Sequence, residues 1–178
     1  MGGQLVLTIA KWNNTELPIA YLITFRSYGT WLAGDERGSI DKYHNSFGGP
    51  RAVTSKNREM EHNARLKGPP FLLNAARRQL VEHAIRDVCS FRAWTLIALN
   101  VRTNHVHIVV SGQTSSGKIL GDLRAYSTRH IRERNAWNYE QSPWADKGSR
   151  RSLWTEEHVG AASDHVINGQ GDQLPKFD

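Results

Sequence analysis

The chain has 178 residues, enough for one domain with a substantial core and too few for two sizeable ones. Its 23 Lys and Arg outnumber 17 Asp and Glu, a net charge of +6 that favours a polyanionic partner, nucleic acid first, over a merely basic soluble protein. The single cysteine, Cys89, excludes an internal disulfide framework and a cysteine-based zinc site; no apolar run reaches membrane-spanning length and no secretion signal opens the chain, so a cytosolic protein without membrane association is expected.

Residues 3–11 alternate loosely and are read as a peripheral strand ended by Asn13-Asn14-Thr15. Ile19 to Arg26 is the first clear strand. Ala20, Leu22 and Thr24 alternate there with Tyr21, Ile23 and Phe25, and two largely apolar faces call for a central place in a sheet. Residues 34–70 show little periodicity and many glycines, prolines and cations, a long loop insertion within a single domain of residues 1–178. Two readings stay open for this region. Tyr28 and Trp31 stack bases while Arg37, Lys42, Arg51 and Lys56 meet phosphates, or the insertion is solvated with its aromatics against the sheet.

Asn74 is an N-cap candidate for an amphipathic helix over residues 75–91, with Leu73, Ala76, Leu80, Ala84 and Val88 facing inward and Cys89 in the core. A strand over 94–101 follows, and the short break Arg102-Thr103-Asn104 turns it into a hairpin with the next strand. That strand reads Asn104-His105-Val106-His107-Ile108-Val109-Val110. Because side chains alternate along a strand, His105 and His107 share one face while Val106, Ile108 and Val110 point into a core. Two imidazoles on a rigid face suit a divalent metal; two half-exposed histidines with no ligand are the plain alternative. Asn104 shapes the start of the strand or hydrogen-bonds a substrate phosphate.

A second helix over about 117–134 carries an inner stripe of Ile119, Leu120, Leu123, Ser127 and Ile131, with Tyr126 and His130 at its margin and Arg124, Arg129, Arg132 and Arg134 elsewhere. Residues 135–150 read as a polar loop holding Trp137 and Trp144, and 151–154 as a short strand. Thr155 caps a third helix, Glu156 and Glu157 sit where its dipole favours them, and Gly169 ends it. The order of elements predicts an α+β, ferredoxin-like split βαβ fold. A four-stranded antiparallel sheet carries two helices on one face, and the C-terminal helix alone is free to reach the other, open face with the histidines.

Between Lys118 and Arg151 there are eight Lys and Arg against four Asp and Glu, interleaved with Trp137, Tyr139 and Trp144. Cations for phosphates and aromatics for bases suit a hairpin or single strand, with Trp31, Arg124, Arg129, Arg132, Arg150 and Arg151 as the DNA-binding candidates; a solvated basic helix is the alternative.

The His-Val-His strand, Gly29-Thr30-Trp31-Leu32 and the Leu153 to Gln170 segment together resemble the single-tyrosine transposases, the insertion-sequence and REP-associated members of the HUH endonuclease superfamily. The resemblance implies a divalent Mg²⁺ or Mn²⁺ held by His105, His107 and a third polar ligand, for which Gln170 is preferred over Asn168 and His158. It implies cleavage and rejoining of single-stranded or hairpin DNA through a covalent phosphotyrosine, and leaves a homodimer open. One position departs from it: His165 stands where the family's tyrosine belongs. His165 is then an unusual nucleophile, or a ligand or base in a protein without strand transfer, or the nucleophile is Tyr126, which the topology sets on the opposite side of the sheet unless two copies swap elements. A domesticated, inactive DNA-hairpin-binding protein and a metal-dependent hydrolase of another substrate are the rival readings.

Overall fold

The computed structural model of the protein describes residues 17–30 and 55–175. Its elements are β1 (Ala20–Ser27), α1 (Lys56–Ala64), α2 (Ala75–Phe91), β2 (Thr95–Val101), β3 (His105–Ser111), α3 (Ser116–Glu133), β4 (Trp144–Leu153) and α4 (Glu156–Ile167). The strands form one antiparallel sheet in the order β2-β3-β1-β4, the α+β split βαβ arrangement expected from the order of elements.

The inner position of β1 and β3 explains why both carry apolar residues on two faces. On one face Tyr21, Ile23 and Phe25 of β1 join Val106, Ile108 and Val110 of β3, with Val81, Ile85 and Val88 of α2 and Ile119, Leu123 and Ile131 of α3 above them. The opposite face holds a smaller core. Ala20, Ala98, Val109 and Leu153 meet Ala162 and Val166 of α4, with Leu22 and Val159 at its margin. The face expected to be open is therefore partly covered: Val159, Ala162 and Val166 recur at helical spacing and dock α4 on it.

Asn74 Oδ1 accepts the Arg77 backbone N–H at 3.0 Å, so α2 starts where the cap predicts. Ala84, Val88 and Cys89 are buried as expected, joined by Ala75, Val81 and Ile85, whereas Leu80 is half-buried and Ala76 is exposed. In the segment before the helix Phe71 and Leu73 are fully buried. Burial also pushes the Cys89 thiol up to about 11.

Three expectations need correction. The stretch over 34–70 is not loop throughout, because α1 occupies Lys56–Ala64; its polar sequence has no apolar stripe from which to read a helix. The last strand starts at Trp144 and not at Arg151. It is an edge strand whose middle, Asp146 to Arg151, is polar, so alternation gives no signal there. Trp144 and Trp137 are core residues and not base-stacking ones. Trp144 meets Phe25 edge-on at 4.9 Å, and Trp137 packs on Phe71 at 4.9 Å. The expected strand over 3–11 and the candidates Trp31, Arg37, Lys42 and Arg51 lie outside the described residues.

Candidate functional site

The site is assembled by register and by one helix end. On β1, Thr24 is the Cα partner of His107 and Arg26 that of His105. Directly opposed residues of antiparallel strands share a face, so the imidazoles are flanked by Thr24 and Arg26, with Asn100 beside His107 from β2. From above, α4 brings in its last turn. Thr155 Oγ1 accepts the His158 backbone N–H at 3.2 Å and starts the helix; Asn100 Nδ2 donates to the Val166 carbonyl at 2.9 Å and satisfies a group that a helix end leaves unpaired. The chain then runs through Gly169 to Gln170. At Gly169 an added Cβ would lie 2.7 Å from the His165 carbonyl oxygen and 2.9 Å from His165 Nδ1, so glycine permits this close fold-back. Beyond it Arg102 donates to the Asp172 carbonyl at 2.8 Å and Arg78 to the Pro175 carbonyl, tying the tail to the hairpin and to α2.

Four side chains converge. The rings of His105 and His107 are 4.7 Å apart, those of His107 and His165 5.7 Å, and both pairs meet edge to face. His105 Nδ1 lies 2.7 Å from Asn104 Oδ1; with Nδ1–H donating to that oxygen, Nε2 keeps a lone pair. Its Nε2 lies 3.4 Å from Gln170 Oε1. Gln170 Nε2 donates both to His165 Nε2 and to the His165 carbonyl oxygen, each at 3.0 Å. His107 Nδ1 is 2.8 Å from Thr24 Oγ1; with Nδ1–H donating, its Nε2 is free to ligate as well. Burial, followed by the neighbouring His105, His165 and Arg102, pushes the His107 imidazole down to about 3, so it is neutral at ordinary pH.

Two imidazoles and an amide oxygen are donors that a divalent ion can take, with hydrogen bonds to Asn104 and Thr24 orienting the rings. No group of three or more His, Cys, Asp and Glu able to hold a metal occurs among the described residues, and this set reaches three donors only through Gln170. The other ligand candidates turn elsewhere. Asn168 Nδ2 donates to Asp164 Oδ1 at 2.8 Å, and His158 is exposed at the far end of α4.

Tyr126 lies on α3, its ring 6.2 Å from that of Phe91 and under the Arg129 guanidinium, across the sheet from the histidines. Tyr21, Tyr28 and Tyr139 also lie away from the imidazoles. Tyr21 donates to the Thr114 carbonyl, Tyr28 takes the Lys67 backbone N–H, and Tyr139 stacks on Trp137. Among the DNA-binding candidates, Arg124 is half-buried over Phe25 and donates to the Asp146 and Lys147 carbonyls, while Arg132 donates to those of Tyr139 and Glu140. Arg129, Arg150 and Arg151 are exposed. Thr24, Asn100, Arg102 and Gly169 were not among the residues singled out from sequence for this site. Thr24 stands at an alternating strand position, but only the β1–β3 register puts it beside His107.

Comparison with known proteins gives a family. Residues 69–166 match the family model described as "Transposase IS200 like". The matched span takes in His105, His107, Tyr126 and His165 and stops short of Gln170. A REP-associated tyrosine transposase bound to a REP hairpin aligns at 11% identity with a TM-score of 0.46, over 83% of this chain and 63% of its own. This chain thus spans under two thirds of that relative. A transposase-assigned chain of Deinococcus radiodurans R1 aligns at 14% identity with a TM-score of 0.46, over 92% of this chain and 98% of its own. No curated protein matches. Among the described residues no helix is long and apolar enough to cross a membrane.

Proposed function

The chain belongs to the IS200-like transposase family, and from that premise we propose that it binds single-stranded or hairpin DNA and cleaves the strand at the His105–His107 face with a divalent Mg²⁺ or Mn²⁺. The observation that carries the reading is the convergence of three side chains: the His105 and His107 rings are 4.7 Å apart, and Gln170 Oε1 lies 3.4 Å from His105 Nε2. His105, His107 and Gln170 would hold the ion, which when bound polarises a phosphate and stabilises charge developing on its oxygens.

The chain's own residues supply the rest. Asn104 and Thr24 hold the two rings in ligating tautomers, and α4 closes part of the face against water. The net charge of +6 draws in a polyanion. At the tyrosine's position stands His165, whose Nε2 is engaged by Gln170. Water is then the attacking group that this site best accommodates. Rejoining through a covalent intermediate would need a nucleophile from elsewhere, and Tyr126 would reach the site only from a second copy in a homodimer. The second reading, an inactive hairpin-binding protein that keeps the fold, is favoured by the same feature: an imidazole used internally where the family has its phenol.

The test is a gel assay with labelled hairpin DNA carrying a single-stranded flank, with Mn²⁺ or Mg²⁺. Metal-dependent cleavage is expected, lost in His105→Ala and His107→Ala while salt-sensitive binding persists. A covalent adduct lost in Tyr126→Phe would assign the nucleophile to a second copy. Cleavage that survives loss of both histidines sinks the reading, and tight binding without cleavage under either metal leaves the inactive binder.

A further inference from the structure

We propose that His165 is a positioning residue: it fixes the amide of Gln170 so that Oε1, and not Nε2, faces His105 and His107. The inference rests on the metal-site reading above and assigns His165 a role different from attack on phosphate.

An amide side chain has two ends of similar size and opposite hydrogen-bonding character. Which end faces a metal must be decided by its neighbours. Here Nε2 of Gln170 meets two acceptors, the ring Nε2 and the backbone carbonyl of His165, each at 3.0 Å. Both amide hydrogens are thereby used. Turning the amide over would set Oε1 against both acceptors and aim the NH₂ group at the metal face. An imidazole with its proton on Nδ1 offers Nε2 as an acceptor, so the ring adds to the backbone carbonyl's preference for this orientation. The ring is held for the task from two sides: it meets His107 edge-on at 5.7 Å, and Gly169 leaves the room beside its Nδ1 that a Cβ would take. A lone pair already accepting a hydrogen bond is also a poor nucleophile, which fits this role better than covalent chemistry.

The experiment measures Mn²⁺ binding to the full chain without DNA, from loss of the free-ion electron paramagnetic resonance signal. The wild type should bind and Gln170→Ala should bind weakly. His165→Ala should raise the Kd roughly tenfold, in the range seen when a partner of a metal ligand is removed. His165→Gln, whose carbonyl can accept from Gln170, should recover most of the loss. The deciding measurement uses Gln170→Glu. A carboxylate has two equivalent oxygens and no wrong way round, so His165→Ala should cost little or nothing further in that background. Equal losses in the Gln170 and Gln170→Glu backgrounds would make His165 a direct ligand or a general support of the fold, and would overturn the proposal. So would unchanged binding in His165→Ala while Gln170→Ala binds weakly. If the wild type does not bind Mn²⁺, or Gln170→Ala binds as the wild type does, the metal-site reading itself fails and this inference falls with it.

Discussion

Asn104 decides what His105 can do. Its side-chain oxygen lies 2.7 Å from Nδ1, where accepting an Nδ1–H would leave Nε2 as a donor of electrons, while its backbone carbonyl accepts from Ser27 and holds the turn. The two jobs are separable, because only the first needs the side chain. Asn104→Ala should therefore raise the Mn²⁺ Kd roughly tenfold while the melting temperature moves little, since partners of metal-bound histidines commonly contribute this much. Calorimetric titration with Mn²⁺ and a thermal melt check it; an unchanged Kd would show that the tautomer is set by something else. At this scale the sequence was informative where chemistry is local. His105 and His107 share a face by alternation, and Gln170 and His165 emerge from the helix that must reach it. The bond of Thr24 to His107 was not legible, because it joins residues 83 apart through a strand register that no local pattern encodes.

One element, α4, converts a histidine strand into a site. It docks through few residues: Val166 is fully buried, Ala162 nearly so, and Val159 partly. His165 adjoins Val166, so docking and chemistry are coupled within one turn. Val166→Ala removes two buried methyl groups and should cost about 1–2 kcal/mol at ~0.8 kcal/mol per group. The loss should fall on α4 rather than on the α2–α3 layer, which packs on the opposite face. Hydrogen exchange should accordingly speed up in residues 156–167 and not in 75–91, with weaker Mn²⁺ binding. Uniform acceleration would mean that the two cores unfold as one. The Thr155 cap of α4 and its approach to the histidine face could be read from sequence; the small core it makes there could not, since small residues such as Ala98 and Ala162 make a close contact without a strong hydrophobic signature. The start of β4 and all of α1 escaped for the reverse reason, being polar elements held by the sheet edge or by position and not by an apolar stripe.

For the molecule as a whole, a net charge of +6 is not spread as a uniform binding surface. Arg124 and Arg132 are committed to backbone carbonyls of the segment before and within β4, so their cations hold the fold together. Arg150 and Arg151 are adjacent in sequence but sit on opposite faces of the sheet. Arg150 pairs with Ile23 and comes against Gly117 at the start of α3, whereas Arg151 pairs with Leu22 on the face that carries His107. A strand led to the imidazoles must pass over that second face, where Arg26 and Arg151 both stand. Arg151→Ala should therefore weaken binding of single-stranded DNA and make the plot of log affinity against log salt shallower by about 0.7, the value for one phosphate contact on a single strand. Arg124→Ala should leave that slope alone and instead lower stability by roughly 1–3 kcal/mol, the worth of hydrogen bonds from a charged donor. Fluorescence anisotropy of a labelled oligonucleotide across a salt series, paired with urea melts of both variants, separates the two. If Arg124→Ala flattens the salt slope and Arg151→Ala does not, the oligonucleotide runs over the α3 face and not over the histidine face.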